Sequence, residues 1–200
     1  VFGTPAKKEG LYDGLKVSRS AWDSNKVKAN PKFVGVCWES GGGGAVACIP
    51  LERVGKQPTG MGMVAGHKGP VLDLDFNPFN DNLMATVSED TTCAIWNIPD
   101  GGPTSNLVEP VQRLTTHRRK VGTADFHPCA NNVLATTATD PGVKIWDIEA
   151  GKELFSNGDA HKDIIQGFSW NGNGSLGCTS SKDKTLRVLD PRQNTVAQQK

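Results

Sequence analysis

The apolar positions of this chain fall in short runs that recur at nearly constant spacing from residue 67 onward. Each repeat begins at a histidine, enters an apolar run at Val71, Val121 or Ile165, and reaches a turn rich in Pro or Gly. The runs are short, rich in β-branched residues and bounded by turn residues. Such a pattern predicts β-strands rather than helices.

The pattern predicts three strands after each histidine and an outer strand at Val111 to Thr115 in the first repeat. The first strands are Val71 to Phe76, Val121 to Phe126 and Ile165 to Trp170; the second are Leu83 to Ser88, Val133 to Thr137 and Leu176 to Ser180; the third are Thr91 to Ile98, Val143 to Ile148 and Thr185 to Leu189. Upstream, strands are predicted at Leu15 to Ser18, Phe33 to Trp38, Ala45 to Leu51 and Met61 to Ala65.

Four residue types recur in register within these repeats. They are His67, Thr86, Asp90 and Trp96 in the first copy, His117, Thr136, Asp140 and Trp146 in the second, and His161, Thr179 and Asp183 in the third, where Leu189 replaces Trp. A period of 44 to 50 residues with Gly-His and Trp-Asp is typical of WD-repeat β-propeller blades.

The fold class predicted is therefore all-β, a WD-repeat β-propeller with about four blades in this chain. The expected divisions are a lead-in at 1–25, a degenerate first blade at 26–66, and blades at 67–116, 117–160 and 161–200. Because each blade buries its faces against its neighbours, an unclosed array leaves apolar faces at both ends. We therefore expect this chain to be part of a longer protein. When isolated, the chain itself is expected to associate in solution through its uncovered strands.

The recurring His, Thr and Asp resemble a catalytic triad, but a catalytic set appears once and this one recurs with the fold. A structural role is sufficient: aspartate accepts from the His ring, His meets the Thr hydroxyl, and Thr meets the indole N–H. The third copy lacks the indole, so we expect its network to be one member short. Trp22-Asp23 looks like a repeat end but has no histidine or aspartate in register.

Composition excludes several classes of protein and site. No run of 18 apolar residues is present, so no membrane-spanning helix is expected. The five cysteines are odd in number and lack a Cys-x-x-Cys pair, which favours a reducing compartment and packing roles over metal ligation. The Gly41–Gly44 run lacks a following Gly-Lys-Ser/Thr, which indicates a turn rather than a phosphate loop. The sequence has no stretch in which aromatic and basic residues alternate, the pattern that would indicate nucleic-acid binding.

Charge is spread unevenly although the net charge is only +1. Residues 1–32 contain seven basic side chains and three acidic ones, which indicates either a surface for an acidic partner or a solvated lysine-rich segment. The residue after each repeat histidine is also basic: Lys68, Arg118 and Lys162, with Arg119 and Lys120 extending the second site. These loops share one face of a propeller, and the pattern fits a binding surface or ordinary solvent-exposed loops.

The chain resembles the coronin family over essentially its whole length, with fungal-type members the nearest in pattern. The resemblance rests on Phe2-Gly3-Thr4-Pro5-Ala6-Lys7-Lys8, Leu15-Lys16-Val17-Ser18, Ala21-Trp22-Asp23-Ser24, Asn30-Pro31-Lys32-Phe33, the Ser40 to Ala45 glycine run, Asn80-Asp81-Asn82, Trp96 to Asp100 and His117 to Gly122. It implies a seven-bladed, non-catalytic propeller without a cofactor, which binds filamentous actin in the cytoplasm at cortical patches. The family closes its propeller with an N-terminal strand, which Leu15 to Ser18 match.

The resemblance also implies that Lys16 contacts actin. The basic residues after the second repeat histidine, Arg118, Arg119 and Lys120, are weaker candidates for the same contact. Many members have Arg at the position of Lys16. The lysine of this chain keeps the positive charge but cannot make the two parallel hydrogen bonds that a guanidinium makes to one carboxylate. The family's later blades and its C-terminal coiled coil, through which other cytoskeletal proteins are contacted, have no counterpart in this sequence. A generic WD-repeat adaptor for peptides or proteins is the alternative function, and an enzyme built on a propeller is a third.

Overall fold

The fold consists of four four-stranded antiparallel sheets that follow one another along the chain. The computed structural model describes residues 3, 7–41, 44–115, 117–158, 160–193 and 195–199. Within these ranges the regular structure is β, apart from one short 3-10 turn at Lys8–Gly10. The predicted all-β class and the four blades are confirmed.

Each sheet forms one blade of four strands. A parallel pair, β1 (Tyr12–Asp13) and β5 (Gly55–Lys56), lies outside the blades. Blade 1 contains β2 (Val27–Ala29), β3 (Phe33–Trp38), β4 (Gly44–Pro50) and β6 (Val64–His67); blade 2 contains β7 (Val71–Phe76), β8 (Leu83–Ser88), β9 (Cys93–Asn97) and β10 (Gln112–Leu114). Blade 3 contains β11 (Val121–Phe126), β12 (Val133–Ala138), β13 (Val143–Asp147) and β14 (Lys152–Asn157); blade 4 contains β15 (Ile165–Trp170), β16 (Gly177–Ser181), β17 (Leu186–Asp190) and β18 (Thr195–Gln199).

Successive blades are held together by apolar side chains buried between their faces. One cluster joins blades 1 and 2 and includes Phe33, Leu74 and Trp96, all nearly fully buried. A second joins blades 2 and 3 around Ile95 and Leu134, and a third lies between blades 3 and 4. Since these faces exclude water, stacking of the blades supplies the hydrophobic stabilisation that no single sheet supplies alone.

The first strands of blades 2, 3 and 4 carry the same irregularity. Their pairing with the second strand shifts register after Val71, Val121 and Ile165, at the residue that follows each of them. A β-bulge of this kind bends and twists the strand locally. Because the same bulge occurs in all three blades, it is a regular feature of the repeat, located at the end of the blade nearest the histidine.

Two strand predictions upstream of the repeats need correction. Leu15 to Ser18 does not form a strand; Val17 makes an isolated antiparallel bridge to Trp38. The inner strand of blade 1, β2, was missed because it has only three residues and carries the polar Lys28 at its centre. Strand β6 spans Val64–His67 instead of the predicted Met61 to Ala65. The proposed blade boundaries stay a prediction.

Some sequence features fall on residues that the structure does not describe. Phe2, Thr4, Pro5 and Ala6 of the N-terminal motif, Gly42 and Gly43 of the glycine run, and Lys200 lie outside the described residues. Gly44 opens β4, and a Cβ there would lie 2.1 Å from the carbonyl oxygen of Gly69, so only glycine fits. Within the described ranges no helix is long and apolar enough to cross a membrane.

The packing role predicted for the cysteines holds for three of them. Cys37, Cys48 and Cys93 are buried, and burial raises the pKa of the Cys37 and Cys48 thiols to about 12. Cys129 and Cys178 are exposed, so the packing prediction is wrong for these two. Cys178 is at the position in blade 4 that is equivalent to the buried Ala85 and Ala135 of blades 2 and 3. It is exposed because, in the described part of the chain, no further sheet covers that face of blade 4.

Candidate functional site

The structure brings the four recurring residues of blade 2 into one hydrogen-bonded network. His67 Nδ1 lies 3.0 Å from Asp90 Oδ2, and His67 Nε2 lies 2.8 Å from the Thr86 hydroxyl. The Trp96 indole N–H donates to that hydroxyl at 2.8 Å. With Nδ1–H donating to the carboxylate, Nε2 accepts the Thr86 proton, so every buried polar atom of this network is paired. Thr92 adds a second hydroxyl, which donates to Asp90.

The equivalent network in blade 3 is looser at the aspartate. His117 Nε2 contacts the Thr136 hydroxyl at 2.8 Å, and the Trp146 N–H donates to the same hydroxyl at 2.8 Å. His117 Nδ1 lies 3.6 Å from Asp140 Oδ1, beyond hydrogen-bonding distance, and neither atom has another partner among the described residues. Asp140 is held chiefly by the Arg118 amide at 3.0 Å.

In blade 4 the network is one member short, as its sequence predicts. His161 contacts Asp183 at 3.0 Å and the Thr179 hydroxyl at 2.8 Å. The Thr179 oxygen, with no indole beside it, lies 3.3 Å from the Arg187 carbonyl oxygen. Leu189 fills the position of the indole and is fully buried.

The electrostatics of these networks suit a structural role. Burial alone would raise the pKa of Asp90, but hydrogen bonds from His67 and Thr92 outweigh burial and hold this pKa well below its usual range. Burial likewise raises the pKa of Asp140, but the neighbouring His117 ring and the Arg118 amide lower it, and the pKa is about 2. The Thr86 and Thr136 hydroxyls are fully buried. A substrate therefore has no access to the hydroxyls that a nucleophilic mechanism would require.

The basic candidates lie on one face, which we call the histidine face: residues 67–70, 117–120 and 161–164 and the aspartate turns at 89–92, 139–142 and 182–185. Lys16 also lies on the histidine face. Its carbonyl accepts a hydrogen bond from the Glu39 amide at 2.8 Å, and Glu39 directly follows the end of β3. That end adjoins Gly44, which pairs with His67. Lys16, Lys68, Arg118, Arg119 and Lys162 are all exposed.

Lys120 differs from the other basic candidates because its side chain makes contacts within the molecule. Its Nζ lies 3.6 Å from Glu89 Oε1 in blade 2 and 5.8 Å from the centroid of the Trp22 ring. A cation over an indole face is attracted to the ring's quadrupole. Lys120 therefore links the lead-in, blade 2 and blade 3.

Sequence reasoning missed two basic residues of the histidine face, and it counted Arg19 only among the seven basic residues of 1–32. Lys182 and Lys184 flank Asp183 and are exposed. Arg19 lies next to Lys16 in the lead-in and pairs with Glu39 at 3.5 Å. The signal that could have found Lys182 and Lys184 is their position in an aspartate turn, where they align with Glu89 and Thr91 of blade 2.

A second charged cluster lies among the inner strands. Lys28 of β2 contacts Asp75 of β7 at 3.4 Å, and Asp73 and Asp125 are close enough to interact with the same lysine. Burial raises the pKa of Asp73 to about 6, and burial with repulsion from Asp75 raises that of Asp125 to about 7. No group of three His, Cys, Asp or Glu side chains suited to a metal occurs among the described residues.

An apolar groove of about 400 Å³ opens between blades 3 and 4 on the side away from the histidine face. Phe155 and Trp170 form its walls, and Arg192 lies at its edge. None of the candidate basic residues lines it.

Comparison with protein families decides what the repeats are. A family model described as "WD domain, G-beta repeat" matches residues 60–97, 108–147 and 152–190. This chain belongs to the WD-repeat family. A second family model, described only as a domain of unknown function (DUF1899), matches residues 1–56, which comprise the lead-in and most of blade 1.

Comparison with individual proteins confirms the resemblance to coronins. The WD-repeat chain is 53% identical to Coronin-A of Dictyostelium discoideum over 98% of its length, covering 44% of that protein. It is 42% identical to the coronin-like protein of Saccharomyces cerevisiae, again over 98% of its length and covering 31% of that protein. The chain thus spans less than half the length of these relatives. Of the two, the amoebal protein shares more residues than the fungal one.

Solved structures support the same architecture. The WD40 domain of Toxoplasma gondii coronin superposes with a TM-score of 0.90 and 29% identity, over 96% of this chain and 49% of that domain. A computationally designed protein, Ika8, superposes with a TM-score of 0.67 at 18% identity, over 87% of this chain and 48% of that one, which supports the fold alone.

Proposed function

We propose that this WD-repeat chain forms part of a non-catalytic propeller that binds filamentous actin through its histidine face. The observation that carries the proposal is the placement of Lys16 on the same face as Arg118 and Arg119, all three exposed. Support comes also from the coronin relatives and from the actin binding that the family resemblance implies. A cluster of exposed cations attracts an acidic filament over a distance set by salt, about 8–10 Å.

Lys16 is the first residue to test, because its side chain is exposed and its backbone alone is bonded to blade 1. In the natural full-length protein, Lys16→Asp replaces attraction by repulsion, and we expect filament affinity to fall at least about tenfold at low salt, about 1.4 kcal/mol. Co-sedimentation with actin filaments at two salt concentrations measures the loss. Lys16→Arg is expected to keep the affinity.

The matched control is Lys152→Asp, which makes the same charge change on an exposed lysine at the opposite end of blade 3. It is expected to bind normally. Thermal melting of all three variants should match the unmodified protein. Normal filament binding by Lys16→Asp at low salt would remove this residue from the surface.

The same measurement separates the proposal from a generic WD-repeat adaptor, which needs no filament contact. Failure of the unmodified protein to co-sediment would favour the adaptor. The proposal extends to location at the actin cytoskeleton in cortical patches. It also includes contacts with other cytoskeletal proteins through segments that the coronin relatives have beyond the matched region.

A further inference from the structure

The last part of the lead-in, residues 15–25, contacts three blades. The Ser18 amide donates to the Cys37 carbonyl of blade 1 at 2.8 Å. The Ser24 hydroxyl donates to the Leu72 carbonyl of blade 2 at 2.5 Å. The Trp22 indole N–H donates to the Gly122 carbonyl of blade 3 at 2.8 Å. Leu72 and Gly122 lie at the starts of their strands, so the lead-in runs along the histidine face.

The contact between Trp22 and Gly122 requires glycine in blade 3. A Cβ at residue 122 would lie 2.0 Å from Cζ2 of the indole, which no real contact allows. The equivalent positions in blades 2 and 4 are Leu72 and Gln166, so among blades 2, 3 and 4 only the blade that receives the indole has glycine at this point. The half-buried ring thus rests directly on the backbone of β11.

The same indole contacts the basic loop of blade 3. Lys120 Nζ lies 5.8 Å from the ring centroid, and its other neighbour is Glu89 of blade 2 at 3.6 Å. Arg118 and Arg119 precede Lys120 in the same loop and are exposed. One side chain of the lead-in therefore connects the segment that bears Lys16 to the loop that bears Arg118 and Arg119.

We propose that Trp22 is a positioning residue that locks the lead-in onto blade 3 and so holds Lys16 in fixed geometry with the Arg118–Arg119 loop, making one binding surface from two. The inference rests on the proposed filament binding for its consequence, but its structural part is independent of that function. Binding groups held rigidly in register lose less conformational freedom when a partner arrives, so a fixed pair binds more tightly than a loose pair.

The structural part is tested by hydrogen exchange in the natural full-length protein. Trp22→Ala is expected to speed exchange of the Ser18 amide at least about tenfold, while amides of β8 exchange as before. Gly122→Ala displaces the indole from the other side and is expected to give the same local acceleration. Trp22→Phe keeps a ring on Gly122 and is expected to retain most of the protection. Unchanged exchange at residues 16–20 in Trp22→Ala would overturn the proposal.

The functional part is tested by a double-substitution cycle with actin filaments. If Trp22 positions Lys16, Lys16→Asp weakens binding much less in the Trp22→Ala background than in the unmodified protein. An equal fold-change in both backgrounds would overturn the positioning role even if Trp22→Ala lowers affinity. If Lys16→Asp has no effect in either background, the proposed filament contact fails, and the exchange result alone decides whether Trp22 locks the lead-in.

Discussion

Blades 2 and 3 contain the same His, Thr, Asp and Trp, yet their networks close to different degrees. The His–Asp distance is 3.0 Å in blade 2 and 3.6 Å in blade 3. Asp90 accepts from His67, from the Lys68 amide and from both the amide and hydroxyl of Thr92. Asp140 has only the Arg118 amide within hydrogen-bonding distance among these equivalents. The four residues that define the repeat are therefore insufficient to close the network.

The difference comes from the aspartate turn. In blades 2 and 4 the residue after the aspartate has a positive φ, 72° at Thr91 and 69° at Lys184. Blade 3 has Pro141 there, whose ring fixes φ near −65° and excludes that conformation. The next position is Thr92 or Thr185 in the tight turns but Gly142 in blade 3, so the hydroxyl that bonds the carboxylate is lost as well.

The largest effect that this comparison predicts is a difference between two equivalent substitutions. Asp90→Ala should lower the free energy of unfolding by about 3 kcal/mol, because it leaves several donors unpaired, whereas Asp140→Ala should cost about 1 kcal/mol. Urea unfolding of the natural full-length protein measures both. The exposed Glu109→Ala serves as a control and should change little. Equal losses at Asp90 and Asp140 would contradict the difference between the networks.

A substitution that copies the turn of blade 4 into blade 3 should reduce the difference. Pro141→Lys with Gly142→Thr supplies a residue able to adopt positive φ and the missing hydroxyl. We expect a gain of about 1 kcal/mol, the usual worth of one hydrogen bond. Thermal melting checks the gain, and Gly142→Ser alone is the partial control. A loss of stability in the double variant would show that Pro141 has a favourable role of its own.

The smallest expected effect is a difference in titration. The pKa values of both aspartates lie below the ordinary range, so each contributes stability above about pH 4 and loses this contribution as pH falls through its folded pKa. Asp140 should protonate first, near pH 2, because it lacks the donors that lower the pKa of Asp90 further. The amide resonances of Arg118 and Lys68 report the two carboxylates. A higher midpoint at Lys68 would reverse the assignment.

The first three strands of each repeat were predictable because two signals agree at each of them, whereas the outer strand of blade 3, Lys152–Asn157, was not predicted. In blades 2 and 3 the strand periodicity and the His–Asp–Trp spacing indicate the same strands. The second strand of blade 2 runs from Leu83 to Ser88 as predicted, whereas its third strand, Cys93–Asn97, is shorter than the predicted Thr91 to Ile98. Blade 1 lacks the spacing signal, so β2 went unrecognised. The basic residues next to each histidine were visible in the sequence. Their different contacts were not visible there. Lys120 is paired with Glu89 and lies over the Trp22 ring, whereas Arg118 is exposed, and this difference depends on side chains from other parts of the chain.

The role of Trp22 was hidden for a physical reason. Its partner, Gly122, is far away in sequence and has no side chain to provide a pattern. Only the three-dimensional arrangement shows that a glycine present in one blade of three receives an indole. In the same way, the sequence contained Pro141 and Gly142, but their effect appears only when φ at the equivalent residues is known.

The contact between Trp22 and Gly122 also bears on the order of folding. The two residues are 100 positions apart, whereas neighbouring strands within a blade pair over a few tens of residues or fewer. Closing so long a loop has an entropic cost that is recovered only when the distant partner is already formed. We therefore expect the contact between Trp22 and Gly122 to form only once β11 is in place, later in folding than the bridge from Val17 to Trp38 of blade 1.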